Sequence, residues 1–216
     1  MSLKKIVILG GITATAMLAQ TSGSITINGS IPSAVSITSA SGAAISTTVS
    51  LGALTAANNN TLASITPVDV YVRSNQQYKL SASTTFTNNG AGTIDGGDSI
   101  ATTDIGFGIT AKDASGSLVT STYSDTITTK FNYVSTPFSS LSVTNGTTPF
   151  VAGTNGTLAD IASSTQIIQG TRVSQRGNIQ TNSNFVKYTF GAATLPQYFT
   201  PTTGFQAVVT LTVATF

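Results

Sequence analysis

The sequence lacks cysteine, histidine, tryptophan and glutamate, and only 7% of its 216 residues are charged. Without cysteine or histidine, the chain has no zinc-finger ligands, no histidine or cysteine ligand for haem, and no Ser–His–Asp triad. All seven acidic residues are aspartates, so any carboxylate catalysis would depend on aspartate alone. We therefore expect a protein that is not an enzyme and that uses no cofactor or metal.

The first residues have the pattern of a secretory signal peptide. Lys4 and Lys5 precede a mostly apolar run, residues 6–19, and a polar sequence begins at Gln20. A basic start, a short apolar middle and small residues at the end are typical of a cleaved leader. The run is shorter than the about 20 residues that span a membrane. We expect residues 1–19 to be the leader; the alternative is a short N-terminal helix or anchor.

The charge that remains after the leader is balanced. Nine basic residues less Lys4 and Lys5 leave seven, against seven aspartates. A nucleic-acid-binding surface needs an excess of positive charge, so no nucleic-acid partner is expected. An exported chain without cysteine has no disulfides, so packing or partners must stabilise it. We also expect no stable membrane span once the leader is removed.

The rest of the chain has the composition and alternation of β-strands. Serine and threonine together number 66, and glycine and asparagine interrupt the sequence at short intervals. Threonine and valine favour strands, whereas serine, asparagine and glycine favour turns. Alternating apolar faces are predicted at positions 68/70/72, 78/80/82, 105/107/109/111, 186/188/190 and 209/211/213. Many short strands at this spacing predict an all-β sandwich over residues 39–216.

The first two of these faces are separated by only five residues, Arg73 to Gln77. This spacing predicts a hairpin. In such a hairpin Asp69 could pair with Lys79.

Residues 24–38 form the most informative segment. Small, mostly polar residues occupy its even positions, whereas its odd positions contain an aliphatic row interrupted by Gly29 and by Ser33: Ile25, Ile27, Gly29, Ile31, Val35 and Ile37. The row is consistent with the first strand of the chain's own sandwich. It is equally consistent with a donor strand that inserts into a neighbouring subunit. Pro32 fits a boundary, because proline cannot donate a ladder hydrogen bond.

Three segments resemble fimbrial subunits assembled by donor-strand exchange, especially the alternate (colonization-factor) branch of the chaperone–usher pilins. Residues 25–32 resemble the alternating N-terminal extension, residues 68–80 a strand–turn–strand, and residues 204–213 the closing strand. Together they cover about a third of the chain. Each is a pattern of alternation and position, and residues 112–200 match nothing in that family.

The resemblance implies an immunoglobulin-like β-sandwich that is incomplete and is completed by a neighbour's N-terminal donor strand. Residues 20–38 would be the donor, and Val209, Leu211 and Val213 would form one wall of the acceptor groove. The partners would be copies of the same chain, a periplasmic assembly chaperone and an outer-membrane usher. Archaeal surface filaments also use donor strands, so the resemblance leaves the assembly machinery open.

The sequence thus favours a secreted structural subunit of a pilus-like filament on the cell surface. Such a filament would serve adhesion or biofilm formation. A head-to-tail link of this kind makes an open filament rather than a closed ring. The alternative is a self-complemented, monomeric β-sandwich at the cell surface, acting as an adhesin or a surface-lattice module.

Two other kinds of site have weaker signals. One is a group of three aspartates that lie close in sequence, Asp95, Asp98 and Asp104, whose oxygens could bind calcium. Their spacing is not that of an EF-hand loop. A solvated turn is therefore the simpler interpretation. Asp113 and Asp125 are expected in loops. Glycosylation sequons begin at Asn28, Asn59, Asn145 and Asn155.

Overall fold

The described residues form an all-β protein, as the composition predicts. A computed structural model describes residues 29–30, 33, 35–39, 44, 67–89, 99–114, 124–134, 150–173, 185–195 and 204–216. Its strands are β1 (Val35–Thr38), β2 (Val68–Ser74), β3 (Tyr78–Asn89), β4 (Ile105–Ala114), β5 (Asp125–Ile127), β6 (Thr165–Gly170), β7 (Val186–Thr194) and β8 (Gly204–Thr215). The helical structure within these ranges is limited to three 3-10 turns, Thr102–Asp104, Thr129–Phe131 and Leu158–Ile161.

The chain divides into two compact units, residues 1–32 and residues 33–216. In the first unit the structure describes only Gly29 and Ser30, both exposed. The second unit contains all eight strands and therefore begins a few residues before β1.

The strands form two antiparallel sheets of four. Sheet A has the order β1-β2-β7-β4, and sheet B has the order β5-β6-β3-β8. The longest pairing joins β3 to β8 over twelve residues, from Tyr78 opposite Thr215 to Asn89 opposite Gly204. Neighbours in each sheet are mostly far apart in sequence, because the chain passes repeatedly from one sheet to the other.

The hairpin predicted from residues 68–82 is wrong. β2 pairs with β1 and β7 in sheet A, whereas β3 pairs with β6 and β8 in sheet B. The short connection between them therefore passes from one sheet to the other. Asp69 consequently lies near Lys187 on β7, with 3.8 Å between carboxylate and ammonium, and accepts a 2.7 Å hydrogen bond from Thr189.

Both sheets contribute to one hydrophobic core. Its fully buried side chains include Val70, Val72, Ile105, Ile109, Val186 and Tyr188 from sheet A, and Tyr78, Leu80, Ala82, Ile167 and Ile168 from sheet B. These are largely the alternating apolar positions of the sequence. Burying a large apolar side chain stabilises a fold by about 1.5–3 kcal/mol before entropic costs, so this core is the main source of stability in a chain without disulfides.

Strand β4 departs from simple alternation at one point. A register shift between Ile109 and Ala111 turns Ala111 outward, so the prediction that Ala111 shares the apolar face of β4 is wrong. Earlier in the strand, aromatic rings lie directly against the backbone of two glycines. A Cβ placed on Gly106 would be 2.4 Å from the Phe150 ring, and one on Gly108 would be 2.5 Å from the Tyr133 ring.

Candidate functional site

Strand β8 forms one edge of sheet B. Its twelve residues hydrogen-bond to β3 on one side, and among the described residues no strand pairs with its other side. An unpaired strand edge presents a row of N–H and C=O groups to any extended segment that can reach it. The edge of β8 is therefore a place where a further strand could be added to sheet B.

The core-facing side of β8 is covered only in part. Alternate residues point towards the hydrophobic core and pack against it: Phe205, Ala207, Val209, Leu211 and Val213. Each remains only half-buried, and no residue of β8 is fully buried. By contrast, the neighbouring strand β3 has three core residues, Tyr78, Leu80 and Ala82, that are at most 1% exposed. The core is thus closed under β3 and incompletely closed under β8.

Strand β1 lies close to β8 and shares this partial exposure. It is an edge of sheet A, and among the described strands it pairs with β2 alone. Val35 and Ile37 pack against the core from β1 and, like the apolar residues of β8, stay half-buried. We call the half-buried apolar strip along β1 and β8 the open seam; it consists of Val35, Ile37, Phe205, Ala207, Val209, Leu211 and Val213.

The remaining sheet edges of the described fold are short or covered. β5 has only three residues. The outer edge of β4 is covered by two chain segments: Phe107 donates its N–H to the Gly156 carbonyl at 3.0 Å, and the Tyr133 N–H donates to the Ile109 carbonyl at 2.9 Å. Covering edges in this way protects a sheet against unwanted pairing. Among the described strands, β8 is therefore the long edge that lacks such a cover.

The structure places the predicted site residues in three groups. Val209, Leu211 and Val213, predicted as a groove wall, lie on the core-facing side of β8 and line the open seam. Val35 and Ile37, predicted in the donor strand, lie in β1 and pair with β2 of their own chain. Gly29 is exposed, and a Cβ at that position would meet nothing within 4 Å. Ile25, Ile27 and Ile31 lie outside the described residues.

The structure describes only part of the predicted calcium and glycosylation sites. Asp104 accepts a 2.7 Å hydrogen bond from the Ala101 N–H and caps a 3-10 turn, while Asp95 and Asp98 lie outside the described residues. Within the ranges that the structure describes, no three acidic side chains come together as a metal site.

The sequon at Asn155 lies in the described part of the chain. Asn155 is buried, and its side-chain oxygen accepts a hydrogen bond from the Val151 N–H, which leaves this sequon inaccessible in the folded domain. The sequons at Asn28, Asn59 and Asn145 lie outside the described residues.

A buried polar network links the two sheets, and the sequence did not reveal it. Tyr188 donates a 2.7 Å hydrogen bond to Asp125, and its oxygen lies 2.8 Å from the hydroxyl of Tyr78. Asp125 also pairs with Lys112, and its side chain is only 2% exposed. The prediction that Asp113 and Asp125 lie in loops is wrong, because Asp113 lies in β4 and Asp125 is the first residue of β5. The available signal was that both tyrosines share the phase of apolar faces, so their hydroxyls need buried partners.

A second cluster of polar side chains stabilises the chain segments that cover the outer edge of β4. Asp160 accepts hydrogen bonds from the Thr157 N–H at 2.8 Å and from Lys130 at 2.5 Å. Partial burial would raise the pKa of the Asp160 carboxyl, but the hydrogen bonds from Lys130 and Thr157 outweigh it and hold that pKa below its usual value. Nearby, Tyr133 donates to the Gly156 carbonyl at 2.9 Å. Its burial, with a contribution from the charge of Asp160, raises the pKa of the Tyr133 hydroxyl.

A shallow polar recess of about 230 Å³ lies beside β5 and β6. Its lining includes Gln77, Ser124, Asp125, Gln169 and Thr171. Asp125 is the one carboxylate in that lining, and it is already bonded to Lys112 and Tyr188. The recess thus presents mainly amide and hydroxyl groups.

No protein-family model, curated protein or solved structure matches the chain. None of the helical segments in the described ranges has the length and apolar character needed to cross a membrane.

Proposed function

We propose that this chain is a secreted structural subunit of an extracellular filament that polymerises non-covalently by donor-strand complementation. Surface adhesion or biofilm formation would be its biological role. The acceptor is the open seam, and the donor is the aliphatic row of residues 25–31 of another copy. The observation that carries the proposal is that a twelve-residue edge strand directs five alternate apolar side chains towards the core and leaves all five half-buried.

An added strand would complete the seam in two ways. Its backbone would pair with the outer edge of β8, and its alternate side chains would cover the half-buried apolar residues of the seam. The row Ile25, Ile27, Gly29 and Ile31 has the required period of two. Each buried isoleucine would contribute about 1.5–3 kcal/mol before the cost of ordering the segment. The glycine would suit a place where the donor backbone approaches the seam closely.

The pairing of β1 supports a donor shorter than residues 20–38. Val35 and Ile37 are engaged in β1, which pairs along its length with β2 of the same chain. A donor that extended to Thr38 would have to take β1 out of sheet A and remove one wall of its own seam. We therefore assign donation to residues 25–31 and assign β1 to the acceptor domain.

The same features support an incomplete immunoglobulin-like sandwich as the fold. Two four-stranded antiparallel sheets share one core, and among the described strands none covers the long edge of β8. An immunoglobulin-like sandwich with a missing strand would have these properties. The resemblance of residues 25–32 and 204–213 to chaperone–usher pilins is consistent with this class, and an assembly chaperone would then occupy the seam before polymerisation.

The proposal is tested by changing the donor row and its opposite face separately. In the chain of residues 20–216, the double variant Ile27→Asp and Ile31→Asp places charges in the apolar row. The matched variant Thr26→Asp and Ser30→Asp adds the same charge in the same segment, on the polar row. Size measurement and electron microscopy should show ladders or filaments for the wild type and the matched variant, and single subunits for the donor variant.

Two results would contradict the proposal. One is a wild-type chain that stays monomeric at every concentration, which would favour the self-complemented surface module. The other is a donor variant that assembles as well as the matched variant.

A further inference from the structure

We propose that a second contact surface between subunits lies at one end of the domain, around Ser33 and Phe216. This inference rests on the proposed function and adds an interface that strand donation alone does not require. We call this end the Ser33 end. It is the end at which β2 of sheet A passes into β3 of sheet B through residues 75–77. Its occupant is a second copy of the same chain.

Hydrogen bonds fix the point at which the chain enters the domain. The Gln76 side chain donates to the Ser33 hydroxyl, and that hydroxyl donates to the hydroxyl of Thr215 at 3.4 Å. Thr215 ends β8 and lies opposite Tyr78, the first residue of β3. Ser33, the first residue of the second unit, therefore lies at the Ser33 end, beside the last residue of β8.

The short tether then determines how close a neighbour must be. Only Pro32 separates Ser33 from Ile31, the last residue of the donor row. Two extended residues span about 7 Å at most. If Ile31 occupies the seam of a second copy, that copy must therefore come within about 7 Å of Ser33, and its surface must touch the Ser33 end. Proline also disfavours a helical conformation for the residue before it, here Ile31, which favours an extended donor row.

The Ser33 end has a surface that suits such a contact. Phe216 is 59% exposed there, and its N–H donates to the Gln77 carbonyl at 3.4 Å. Gln77 also lines the polar recess, together with Ser124 and Thr171. An exposed aromatic ring with uncharged polar neighbours resembles the apolar centre and polar rim of protein interfaces. The paired charges of Asp125 and Lys112 would not repel a second copy.

The test compares two exposed apolar residues of β8 and its end. Phe216→Ser removes the ring at the Ser33 end. Val208→Ser is the matched control, because Val208 is 52% exposed but lies in the middle of β8 on the side facing away from the core. Ladders of residues 20–216 are diluted, and their dissociation is followed by light scattering. Phe216→Ser should accelerate dissociation about tenfold, whereas Val208→Ser should match the wild type.

A second measurement separates the end contact from the seam. A free peptide of residues 22–32 fills the seam without bringing a neighbouring domain, so its inhibition of assembly should be the same for wild type and Phe216→Ser. Unchanged dissociation in Phe216→Ser, or weaker peptide inhibition in that variant, would overturn the end contact. A wild-type chain that forms no ladders would instead contradict the proposed function itself.

Discussion

The hydroxyl of Tyr188 lies where the two sheets and a buried carboxylate meet. It donates to Asp125, which leaves the Tyr78 hydroxyl as donor to the Tyr188 oxygen. Tyr188→Phe would keep the ring but remove both hydrogen bonds, leaving the nearly buried carboxylate with one partner fewer. We expect a loss of about 1–3 kcal/mol in the free energy of unfolding.

Urea denaturation measures this loss. Tyr71→Phe is the control, because Tyr71 is half-buried and packs edge-on against Phe185, 4.8 Å away, outside the network. Equal unfolding free energies for Tyr188→Phe and the wild type would contradict a stabilising role for the network.

Asp160 gives the domain a predictable response to acid. Its pKa is lower in the folded state than the usual value near 4, so its ionised form stabilises the fold above that pH. This stabilisation is lost as the pH falls below about 4 and the carboxyl is protonated. Asp160→Asn should therefore lower the melting temperature at pH 7 and have much less effect at pH 2.

The exposed Asp113 on β4 provides the control for this prediction. Asp113→Asn should change the melting temperature little at either pH. A loss in Asp160→Asn that is as large at pH 2 as at pH 7 would show that the ionised carboxylate is not the stabilising group.

At the scale of the strands, the sequence predicts core residues better than strand partners. Alternation marks the inward positions of β2, β3, β7 and β8 because it is a local property of a strand with one buried face. It does not show which strand lies alongside. Two alternating strands joined by a short connection look the same whether they pair as a hairpin or cross between sheets, which is why the predicted pairing of β2 with β3 was wrong.

The same limit applies to the candidate site. The groove wall at Val209, Leu211 and Val213 could be proposed because the end of the chain resembles a pilin strand, and these residues do line the open seam. The boundary of the donor could not be found this way. Ser33 interrupts the odd-position row, but Ile31 before it and Val35 after it have the same phase, so alternation does not assign them to different strands. Only the pairing of β1 with β2 separates the two parts.

The close packing around Gly108 in β4 predicts how a substitution at this glycine changes stability. A Cβ at Gly108 would lie 2.5 Å from the Tyr133 ring and 2.7 Å from the Phe131 carbonyl oxygen. The backbone atom cannot move aside as a flexible side chain would, so Gly108→Ala should destabilise the domain by about 1–3 kcal/mol. Thermal unfolding measures the effect, and a variant as stable as wild type would show that the covering segment is not held tightly on β4.

At the scale of the whole molecule, the proposed function links stability to assembly. The described residues leave part of the core half-covered along β1 and β8, and under the proposed function another copy would supply the cover. Each subunit would then be stabilised by its neighbour, and the seam and the donor row would be two separable halves of one interface.

Mixing two variants tests this separation most directly. Ile27→Asp with Ile31→Asp leaves the seam but disables the donor, whereas Val209→Asp with Leu211→Asp leaves the donor but disables the seam. Circular dichroism checks that each variant retains β-structure, and native mass spectrometry measures its assembly. Each variant alone should be monomeric, and the mixture should give a single one-to-one complex that grows no further. A mixture that stays monomeric, or a single variant that forms ladders alone, would contradict donor-strand complementation.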